Sequence, residues 1–325
     1  MSRSVEIIGT GACVPGQAIP NSYFAHSIAG SEIERKTGIR ERRWAAEHES
    51  ASDLATAASL SALQEAGIDS SRLDMIIVSS TSPDFVFPAT AVLLQKNLGA
   101  RPIPSFDIQA SCSGFLFALS MAENFLKSTG GRLALVASGE IKSRTLDTDD
   151  PGSSILFGDG GGAVLLSQSG TESGFRSFHL HTEGTKSGYI QLPGGGSRMP
   201  ASVPVMRGKL DRIRMKGSLV YRSAIRYFEE VIREALSHNR LTPDDIGCFI
   251  FHQANLRLLE RIVEKYRIPE NRVEISIRKY GNTSSASLPI TLDQAAARGN
   301  LKKGDLILLA TFGGGMTWGS ALYKW

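Results

Sequence analysis

The sequence predicts an α/β protein made of two similar halves, roughly 1–172 and 173–325. Its 325 residues suffice for two domains or one duplicated unit, and 42% of them are hydrophobic. Short continuous apolar runs such as Met75-Ile76-Ile77-Val78 are typical of strands buried on both faces of a sheet. The third observation is an internal repeat that brings the same pattern back in the second half.

The elements of the first half follow from apolar spacing and from turn residues. A strand over 5–8 is predicted to end in a turn at Gly9-Thr10-Gly11, followed by a short helix over 22–29 and an exposed charged segment over 32–43. We expect a helix over 52–66, capped by Ser52 and Asp53 and ended by Gly67. The remaining predictions are strands at 73–80, 102–108, 133–136 and 163–167, and helices at 90–98 and 113–126.

The second half repeats the first at a constant offset. The strand that begins at Met75 matches one that begins at Cys248, and the strand that begins at Leu133 matches one that begins at Leu306, each 173 positions later. The same offset places Cys112 opposite Ser285. An unbroken offset over three separate elements is hard to obtain by chance. We therefore interpret the chain as two α/β halves whose buried parallel strands carry helices on their faces.

Composition excludes several classes of function. The net charge is only +4, and no basic run is interleaved with aromatic residues, so nucleic acid is not an expected partner. The cysteines are three and widely spaced, which argues against a disulfide framework or a zinc cluster and for a reducing compartment. No signal peptide and no apolar stretch long enough to cross a bilayer are visible. We expect a cytoplasmic protein without membrane insertion and without a bound metal.

The strongest candidate for chemistry is Cys112. It lies between a predicted strand and an almost wholly apolar helix, so it occupies a helix start, where unpaired N–H groups and the helix dipole favour a thiolate. Small neighbours, Ser111, Ser113 and Gly114, leave room for a substrate carbonyl. A free cysteine is more commonly a small buried hydrophobe, and this stretch alone leaves both interpretations open.

Two polar segments of the second half are expected to meet that cysteine. Ligands of such sheets gather where strand ends of the two halves come together. His252 leaves the strand at 248–251, and Asn282 lies in the segment that the repeat places opposite Cys112. Gly314 follows the strand at 306–311, where a backbone N–H would serve as an oxyanion donor. The run Gly158-Asp159-Gly160-Gly161-Gly162 lacks a lysine and is interpreted as a tight turn, not a phosphate loop.

Four motifs together resemble the 3-oxoacyl-[acyl-carrier-protein] synthase III family. They are Ala110-Ser111-Cys112-Ser113-Gly114, His252-Gln253-Ala254-Asn255, Gly281-Asn282-Thr283-Ser284 and Phe312-Gly313-Gly314-Gly315. The resemblance implies a duplicated thiolase-like fold in five layers, α-β-α-β-α, and a homodimer. It also implies that the first half carries the nucleophilic cysteine and the second half the histidine and asparagine.

The resemblance implies an acyltransferase reaction without a cofactor. Cys112 would attack an acyl thioester, with the N–H groups of Cys112 and Gly314 stabilising the oxyanion. Malonyl carrier protein would then bind, and His252 and Asn282 would stabilise the enolate formed when carbon dioxide leaves. Attack of that enolate on the acyl group gives a 3-oxoacyl carrier protein, the first chain-building step of fatty-acid synthesis.

Other positions are assigned by the same resemblance. Substrate contacts are expected from Lys36, Thr37, Phe87, Gly217, Tyr221, Asn255 and Phe312, with Phe87 crossing the dimer interface to close the acyl pocket. The sequence departs from the family pattern at Glu32 and Pro151, where the family has a tryptophan and an arginine that sandwich the adenine of coenzyme A. Losing both partners weakens adenine binding, so we hypothesise weak use of acyl-CoA or an acyl group supplied by another carrier.

A basic stripe is the expected docking site for the acyl-carrier protein. Arg257, Arg261 and Lys265 are four residues apart on the helix after His252, whereas Leu258, Leu259, Ile262 and Val263 face inward. Carrier proteins are acidic, so the stripe suits them, although charge runs are often only solvated faces. A second basic cluster comprises Arg207, Lys209, Arg212, Arg214 and Lys216.

Three other functions agree with part of the sequence. A specialised acyltransferase or condensing enzyme of secondary metabolism keeps the fold and fits the lost adenine contacts. A non-catalytic partner subunit is disfavoured because Cys112, His252 and Asn282 are all present. A cysteine protease also combines these residue types, but nothing in that class accounts for the duplication.

Overall fold

The computed structural model describes residues 4–325 as two large mixed β-sheets, of five and four strands, with helices between and outside them, and two further sheets of two strands each. The strands are β1 Ser4–Cys13, β2 Gln17–Pro20, β3 Glu41–Trp44, β4 Met75–Ser79, β5 Ser105–Ile108, β6 Leu133–Glu140, β7 Gly160–Ser169, β8 Gly174–Thr182, β9 Ile190–Gln191, β10 Arg214–Met215, β11 Cys248–Phe251, β12 Leu306–Gly313 and β13 Thr317–Lys324. The helices are α1 Gly30–Thr37, α2 Ala51–Ala66, α3 Thr90–Asn97, α4 Gly114–Thr129, α5 Val203–Arg207, α6 Gly217–Asn239, α7 Leu256–Tyr266, α8 Ile277–Tyr280 and α9 Ser287–Ala297.

Three hydrophobic clusters arrange these elements in five layers, as the family resemblance predicts. Apolar side chains of α4 and α9, such as Phe115 and Leu288, fill the space between the two sheets. The outer face of the first sheet is covered by α2 and α3, and the outer face of the second by α6 and α7. A central helix pair packed on both sides explains why α4 is apolar over most of its surface.

The two sheets share one strand order. The first sheet runs β5-β4-β6-β7-β1 and the second runs β11-β12-β13-β8, so each strand of the second has a counterpart in the first. The offset found in the sequence for β4 and β11 and for β6 and β12 also holds for the central helices, since α4 begins at Gly114 and α9 at Ser287, 173 positions later. The short 3-10 turns before them, Ser111–Ser113 and Ser284–Ala286, are offset by the same amount.

The sheets are mixed, which corrects the prediction of parallel strands. Strand β4 pairs in parallel with β5 and β6, and β11 pairs in parallel with β12. Strands β7 and β13 are antiparallel to β6 and β12, because each follows its neighbour directly in the chain and runs back beside it. The continuous apolar runs of the sequence lie in β4, β6, β11 and β12, each of which has a parallel partner, and one of them, β11, is an edge strand of its sheet.

The N-terminal predictions were partly wrong. Strand β1 continues through Gly9 and Gly11 instead of turning there, because α2 packs directly on it: a Cβ at Gly9 would lie 2.2 Å from the Ala62 carbonyl oxygen. The helix predicted over 22–29 is a 3-10 turn, Asn21–Phe24, followed by α1. The helix over 52–66 is confirmed, but its cap is Ser50, whose hydroxyl accepts from the Asp53 N–H.

The charged segment over 32–43 is not wholly exposed. Arg42 is fully buried, and its guanidinium donates to the carbonyl oxygens of Ile19 and Ile155 and to Oδ1 of Asn21. Three acceptors around one cation offset the loss of water, so this arginine fastens β3 to the segment before β7. Between residues 4 and 325, no helix is long and apolar enough to cross a bilayer.

Candidate active site

Cys112 lies in the 3-10 turn that leads into α4, with its side chain almost buried. The turn starts at Ser111, whose φ of 52° lies in the left-handed region that non-glycine residues rarely adopt. Its position is fixed from the second sheet, because Thr311 Oγ1 donates to the Cys112 carbonyl oxygen at 3.1 Å and Ser113 Oγ donates to that of Thr317 at 3.1 Å. The second half therefore holds the candidate nucleophile in place.

Burial raises the pKa of the Cys112 thiol above its ordinary value. The hydroxyl of Ser284, with Oγ 3.5 Å from Sγ, and the charge of Lys142 oppose that rise. The sequence-based expectation that the helix start favours a thiolate is thus incomplete, since desolvation outweighs the favourable contacts. The resting residue is a thiol that becomes reactive when its proton is removed.

His252 follows β11 directly and is fully enclosed. Its backbone N–H donates to the Ala310 carbonyl oxygen at 2.9 Å, and its ring packs edge-on against Phe312. Burial lowers the pKa of His252 to about 3, so the imidazole is neutral at physiological pH. Nδ1 lies 2.6 Å from Oγ of Ser287 at the start of α9. A neutral imidazole fixed on one side presents Nε2 to its surroundings.

Asn282 is held by its backbone to the segment before β7. Its N–H donates to the Leu156 carbonyl oxygen at 2.8 Å, and its carbonyl oxygen accepts from the Gly158 N–H at 3.1 Å. The side-chain Oδ1 accepts from the Ser284 N–H at 2.8 Å. That bond assigns the amide orientation, and Nδ2 remains to donate toward a ligand.

One cavity of about 710 Å³ brings the three residues together. Cys112, His252 and Asn282 all line it, as do predicted substrate residues from both halves of the chain. Those predicted substrate residues are Lys36, Thr37, Gly217, Tyr221, Asn255 and Phe312, and Gly314, predicted as an oxyanion donor, lines the cavity too. The volume lies within the range typical of small-molecule sites, and the lining is largely apolar. An acyl chain with a polar reacting end suits such a cavity.

The turn between β12 and β13 approaches Cys112 because it lacks side chains. A Cβ at Gly313 would lie 2.7 Å from the Cys112 backbone nitrogen, which is too close for any other residue. Gly314 is next to it, and its Cβ would lie 3.2 Å from Ser111 Oγ. The glycines therefore bring two backbone segments together beside the sulfur, as an oxyanion site requires.

A buried carboxylate supports the serine segment around Cys112, and no pattern in the sequence indicated it. Glu140 is fully buried and accepts from Oγ of Ser285 at 2.7 Å, with Lys142 Nζ 3.4 Å away. Burial alone would raise the pKa of Glu140, but Lys142 and the serine hydroxyls outweigh it and hold the pKa below its ordinary value. The ionised pair thus anchors the turn that carries Ser284.

Comparisons with known proteins agree with this geometry. Residues 106–184 match the family model described as 3-oxoacyl-[acyl-carrier-protein (ACP)] synthase III, and residues 236–325 match its C-terminal counterpart. The chain is 42% identical to beta-ketoacyl-[acyl-carrier-protein] synthase III of Methylococcus capsulatus, with 100% of each chain covered. The chain belongs to the synthase III family.

Solved structures extend the likeness. The 3-oxoacyl-[acyl-carrier-protein] synthase III of Aquifex aeolicus superposes with a TM-score of 0.91 at 38% identity and covers 99% of this chain, which covers 100% of that one. The priming beta-ketosynthase of the R1128 polyketide pathway superposes with a TM-score of 0.91 at 31% identity, covering 99% and 97% of the two chains. This synthase III family member is accordingly a condensing acyltransferase with the thiolase-like fold.

The cavity mouth of this synthase III family member carries the departures noted in the sequence. Lys36 lines the mouth, but its Nζ lies 2.6 Å from a carboxylate oxygen of Glu32, and Arg35 approaches the same carboxylate at 3.7 Å. Pro151 lines the same cavity. Thr37 Oγ1 donates to the Ile33 carbonyl oxygen at 2.7 Å, so its hydroxyl is engaged within α1.

Helix α7 is amphipathic as predicted, but its basic residues differ in their surroundings. Arg257 donates to the carbonyl oxygens of Arg35 at 2.8 Å and Glu34 at 3.0 Å, so it caps α1. Lys265 pairs with Glu229 at 2.7 Å. Arg261 is exposed and forms no ion pair with any residue from 4 to 325. Since Arg257 also pairs with Glu260 at 2.8 Å, Arg261 is the one of these three basic residues whose charge no ion pair among residues 4–325 compensates.

Phe87 is the one predicted substrate residue outside the cavity. It is 85% exposed, and Phe85 and Val86 beside it are 57% and 92% exposed. Three consecutive apolar side chains in water are unusual for a surface that remains uncovered. A contact that lies across a subunit interface could not appear within one chain.

Proposed function

We propose that the chain joins an acyl group carried on Cys112 to malonyl carrier protein and releases carbon dioxide and a 3-oxoacyl carrier protein. The observation that carries this proposal is the cavity shared by a thiol, a neutral imidazole and a carboxamide whose Oδ1 is already engaged. These three groups supply one nucleophile and two hydrogen-bond donors, and none of them is a cationic acid.

In the first half-reaction, Sγ of Cys112 bonds to the carbonyl carbon of an acyl thioester. The oxygen becomes negatively charged, and the backbone N–H groups of Cys112 and Gly314 would stabilise it. Collapse breaks the bond from carbon to the carrier sulfur, and that thiolate takes up the proton that Cys112 lost. The close approach permitted by Gly313 supports this assignment.

In the second half-reaction, the malonyl thioester oxygen would accept hydrogen bonds from Nε2–H of His252 and Nδ2–H of Asn282. The bond to the carboxylate breaks, carbon dioxide leaves, and its electron pair forms the enolate. The enolate carbon attacks the acyl carbonyl carbon, the bond from that carbon to Sγ breaks, and the expelled Cys112 thiolate takes up a proton from the solvent. Low polarity around His252 strengthens both hydrogen bonds as charge develops.

The decisive experiment separates the two half-reactions. Intact mass should show an acyl adduct on wild-type protein that disappears when malonyl carrier protein is added, and no thioester adduct on Cys112→Ala. His252→Ala and Asn282→Ala should keep the adduct and lose carbon dioxide release. Condensation at wild-type rate by Cys112→Ala would overturn the proposal. A non-catalytic subunit would form no adduct at all.

The partners and organisation are proposed on separate observations. Malonyl carrier protein would dock at α7 through Arg261, whose charge is uncompensated. A homodimer would cover Phe85, Val86 and Phe87. The three cysteines are unpaired, which suits a reducing cytoplasm. The matching strand orders support two halves, 1–172 and 173–325.

A second candidate keeps the chemistry and changes the acyl donor. Glu32 neutralises Lys36 at the mouth, which disfavours a nucleotide phosphate there. We therefore propose that the donor is an acyl-carrier protein or another carrier in place of coenzyme A, as in a specialised pathway. A screen of acyl-CoA and acyl-carrier donors for Cys112 adducts decides between the two.

A further inference from the structure

Ser287 touches the imidazole of His252 on the side away from the cavity. It is the first residue of α9, is 1% exposed, and places its Oγ 2.6 Å from Nδ1. The sequence singled out neither this residue nor this contact. Which of the two atoms donates in this contact depends on which ring nitrogen of His252 carries hydrogen.

The hydroxyl oxygen of Ser287 already accepts one hydrogen bond. The backbone N–H of Gln253 donates to it at 3.3 Å. The backbone of Gln253 is held in place, because its buried side chain donates to the Phe251 carbonyl oxygen at 2.8 Å and accepts from the Ser276 N–H at 3.0 Å. A hydroxyl has one hydrogen, and here the short contact to Nδ1 is where it can be donated.

We infer that Ser287 donates to Nδ1 of His252 and thereby keeps the hydrogen of the neutral ring on Nε2, facing the cavity. Ser287 is then a positioning residue for the reaction proposed above, on which this inference rests. Burial keeps the ring neutral, so only one of its two nitrogens carries hydrogen. A hydrogen bond that requires Nδ1 to accept therefore places that hydrogen on Nε2. With Nδ1 accepting, Nε2–H is present before any substrate arrives.

Two chemical consequences follow. The donor needed at the malonyl thioester oxygen is ready without a proton transfer. In the same tautomer Nε2 has no free lone pair, so His252 does not accept the proton of Cys112. Ser287 should therefore matter for loss of carbon dioxide and not for formation of the acyl-enzyme.

The test uses ¹⁵N-histidine labelling and the two half-reactions. The chain has six histidines, so His252 can be assigned by comparison with His252→Asn. We expect wild-type protein at neutral pH to show hydrogen on Nε2, and Ser287→Ala to show a mixture of tautomers. Carbon dioxide release should fall about tenfold in Ser287→Ala, the loss expected for one hydrogen bond to a buried polar group, while acyl-enzyme formation changes less than about threefold.

Two matched variants complete the design. Ser287→Thr retains the hydroxyl and should restore both the tautomer and carbon dioxide release. Ser59→Ala removes an equally buried serine hydroxyl in α2, where it donates to the Ala55 carbonyl oxygen, and should leave both half-reactions unchanged. Hydrogen on Nδ1 in the wild type overturns the inference, even if Ser287→Ala fails to fold. Equal losses in both half-reactions also overturn it. Failure of the proposed function would appear separately, as absence of the wild-type adduct.

Discussion

The Sγ of Cys112 lies 3.5 Å from the Oγ of Ser284, a residue 172 positions further along the chain. Both residues belong to short 3-10 turns that begin with a residue of positive φ, 52° at Ser111 and 54° at Ser284. The two equivalent turns of the two sheets thus face each other, and one supplies a sulfur and the other a hydroxyl. Tertiary contact between the halves therefore sets the environment of the thiol.

Removing the Ser284 hydroxyl should make Cys112 less acidic. Burial raises the pKa of Cys112 and Ser284 lowers it, so Ser284→Ala leaves the rise less opposed and moves the pKa further up. At pH 7, which lies below this pKa, a higher pKa leaves a smaller fraction of Cys112 as thiolate. We therefore expect acylation at pH 7 to slow roughly threefold to tenfold. The measurement is the pH profile of Cys112 alkylation, followed by peptide mass mapping.

Ser284→Gly is the matched control for that profile. It also lacks the hydroxyl, but it relieves the positive φ, so backbone strain and hydroxyl loss can be told apart. Both variants should shift the profile in the same direction. An unchanged profile in both would contradict a role for this hydroxyl.

Lowering the pH should destabilise the fold through His252. Its pKa is about 3 in the folded protein and takes the ordinary histidine value of 6.5 in the unfolded chain, so the unfolded state binds more protons as the pH falls below 6.5. The stability contributed by this group is full above pH 6.5 and is lost progressively toward pH 3, at about 1.4 kcal/mol per pH unit. Urea unfolding at fixed protein concentration from pH 7 to 5 measures it.

His252→Asn supplies the comparison for that slope. The variant lacks the titrating group, so its free energy of unfolding should fall less steeply over the same pH range than that of the wild type. Parallel slopes in the two proteins would mean that His252 is charged in the folded state.

The sequence identified the site residues that belong to strong local patterns. Cys112 precedes an apolar helix, His252 ends an apolar strand, and the constant offset places the Asn282 segment opposite Cys112. Ser284 and Ser287 were missed because their partners lie on other elements, and a serine near a helix start is an ordinary cap in sequence. The offset pairs Ser284 with Ser111, and that was the one available signal.

The fold was predicted least well where residues required for close packing have the same sequence pattern as a turn or an exposed segment. Gly9 and Gly11 suggested a turn, whereas glycine there lets α2 lie against β1. Arg42 stands in a charged segment, yet it is buried by acceptors that come from distant residues. A single sequence shows neither the approaching helix nor those acceptors.

Neutralising Glu32 should improve the use of acyl-CoA. The carboxylate lies 2.6 Å from Lys36 Nζ, so Glu32→Gln frees a cation at the cavity mouth for a phosphate. Since the pair is exposed to solvent, the half-saturating acyl-CoA concentration should fall only about twofold to fivefold. A small acyl thioester without phosphates should acylate both proteins equally. An equal gain with that thioester would contradict the electrostatic explanation.

Reversing the charge at Arg261 should weaken the reaction with malonyl carrier protein alone. Arg261→Glu places a negative charge where an acidic partner would dock, and we expect KM for malonyl carrier protein to rise about tenfold at low salt and less at high salt. Acylation by a small thioester should not change. Lys303→Glu, at an exposed turn before β12, is the matched control.

Arg257→Glu should behave differently from Arg261→Glu. Arg257 donates to two carbonyl oxygens at the end of α1, so its loss should lower the melting temperature and disturb the cavity mouth. Both half-reactions should then slow together. If Arg257→Glu lost activity with malonyl carrier protein alone and kept its melting temperature, Arg257 would belong to the docking surface after all.

A charge at Phe87 should separate the subunits. Phe85, Val86 and Phe87 are largely exposed in the single chain, and burying them against a second copy removes apolar area from water. Phe87→Asp would place a carboxylate in that interface, and we expect the mass measured by light scattering to fall from that of a dimer to that of one chain. Leu60→Asp changes an exposed apolar side chain elsewhere, on α2, and should leave the mass unchanged. If Phe87 also closes the acyl pocket of the partner, acylation by long-chain donors should decline as the dimer dissociates. A Phe87→Asp protein that remains a dimer would show that the interface lies elsewhere.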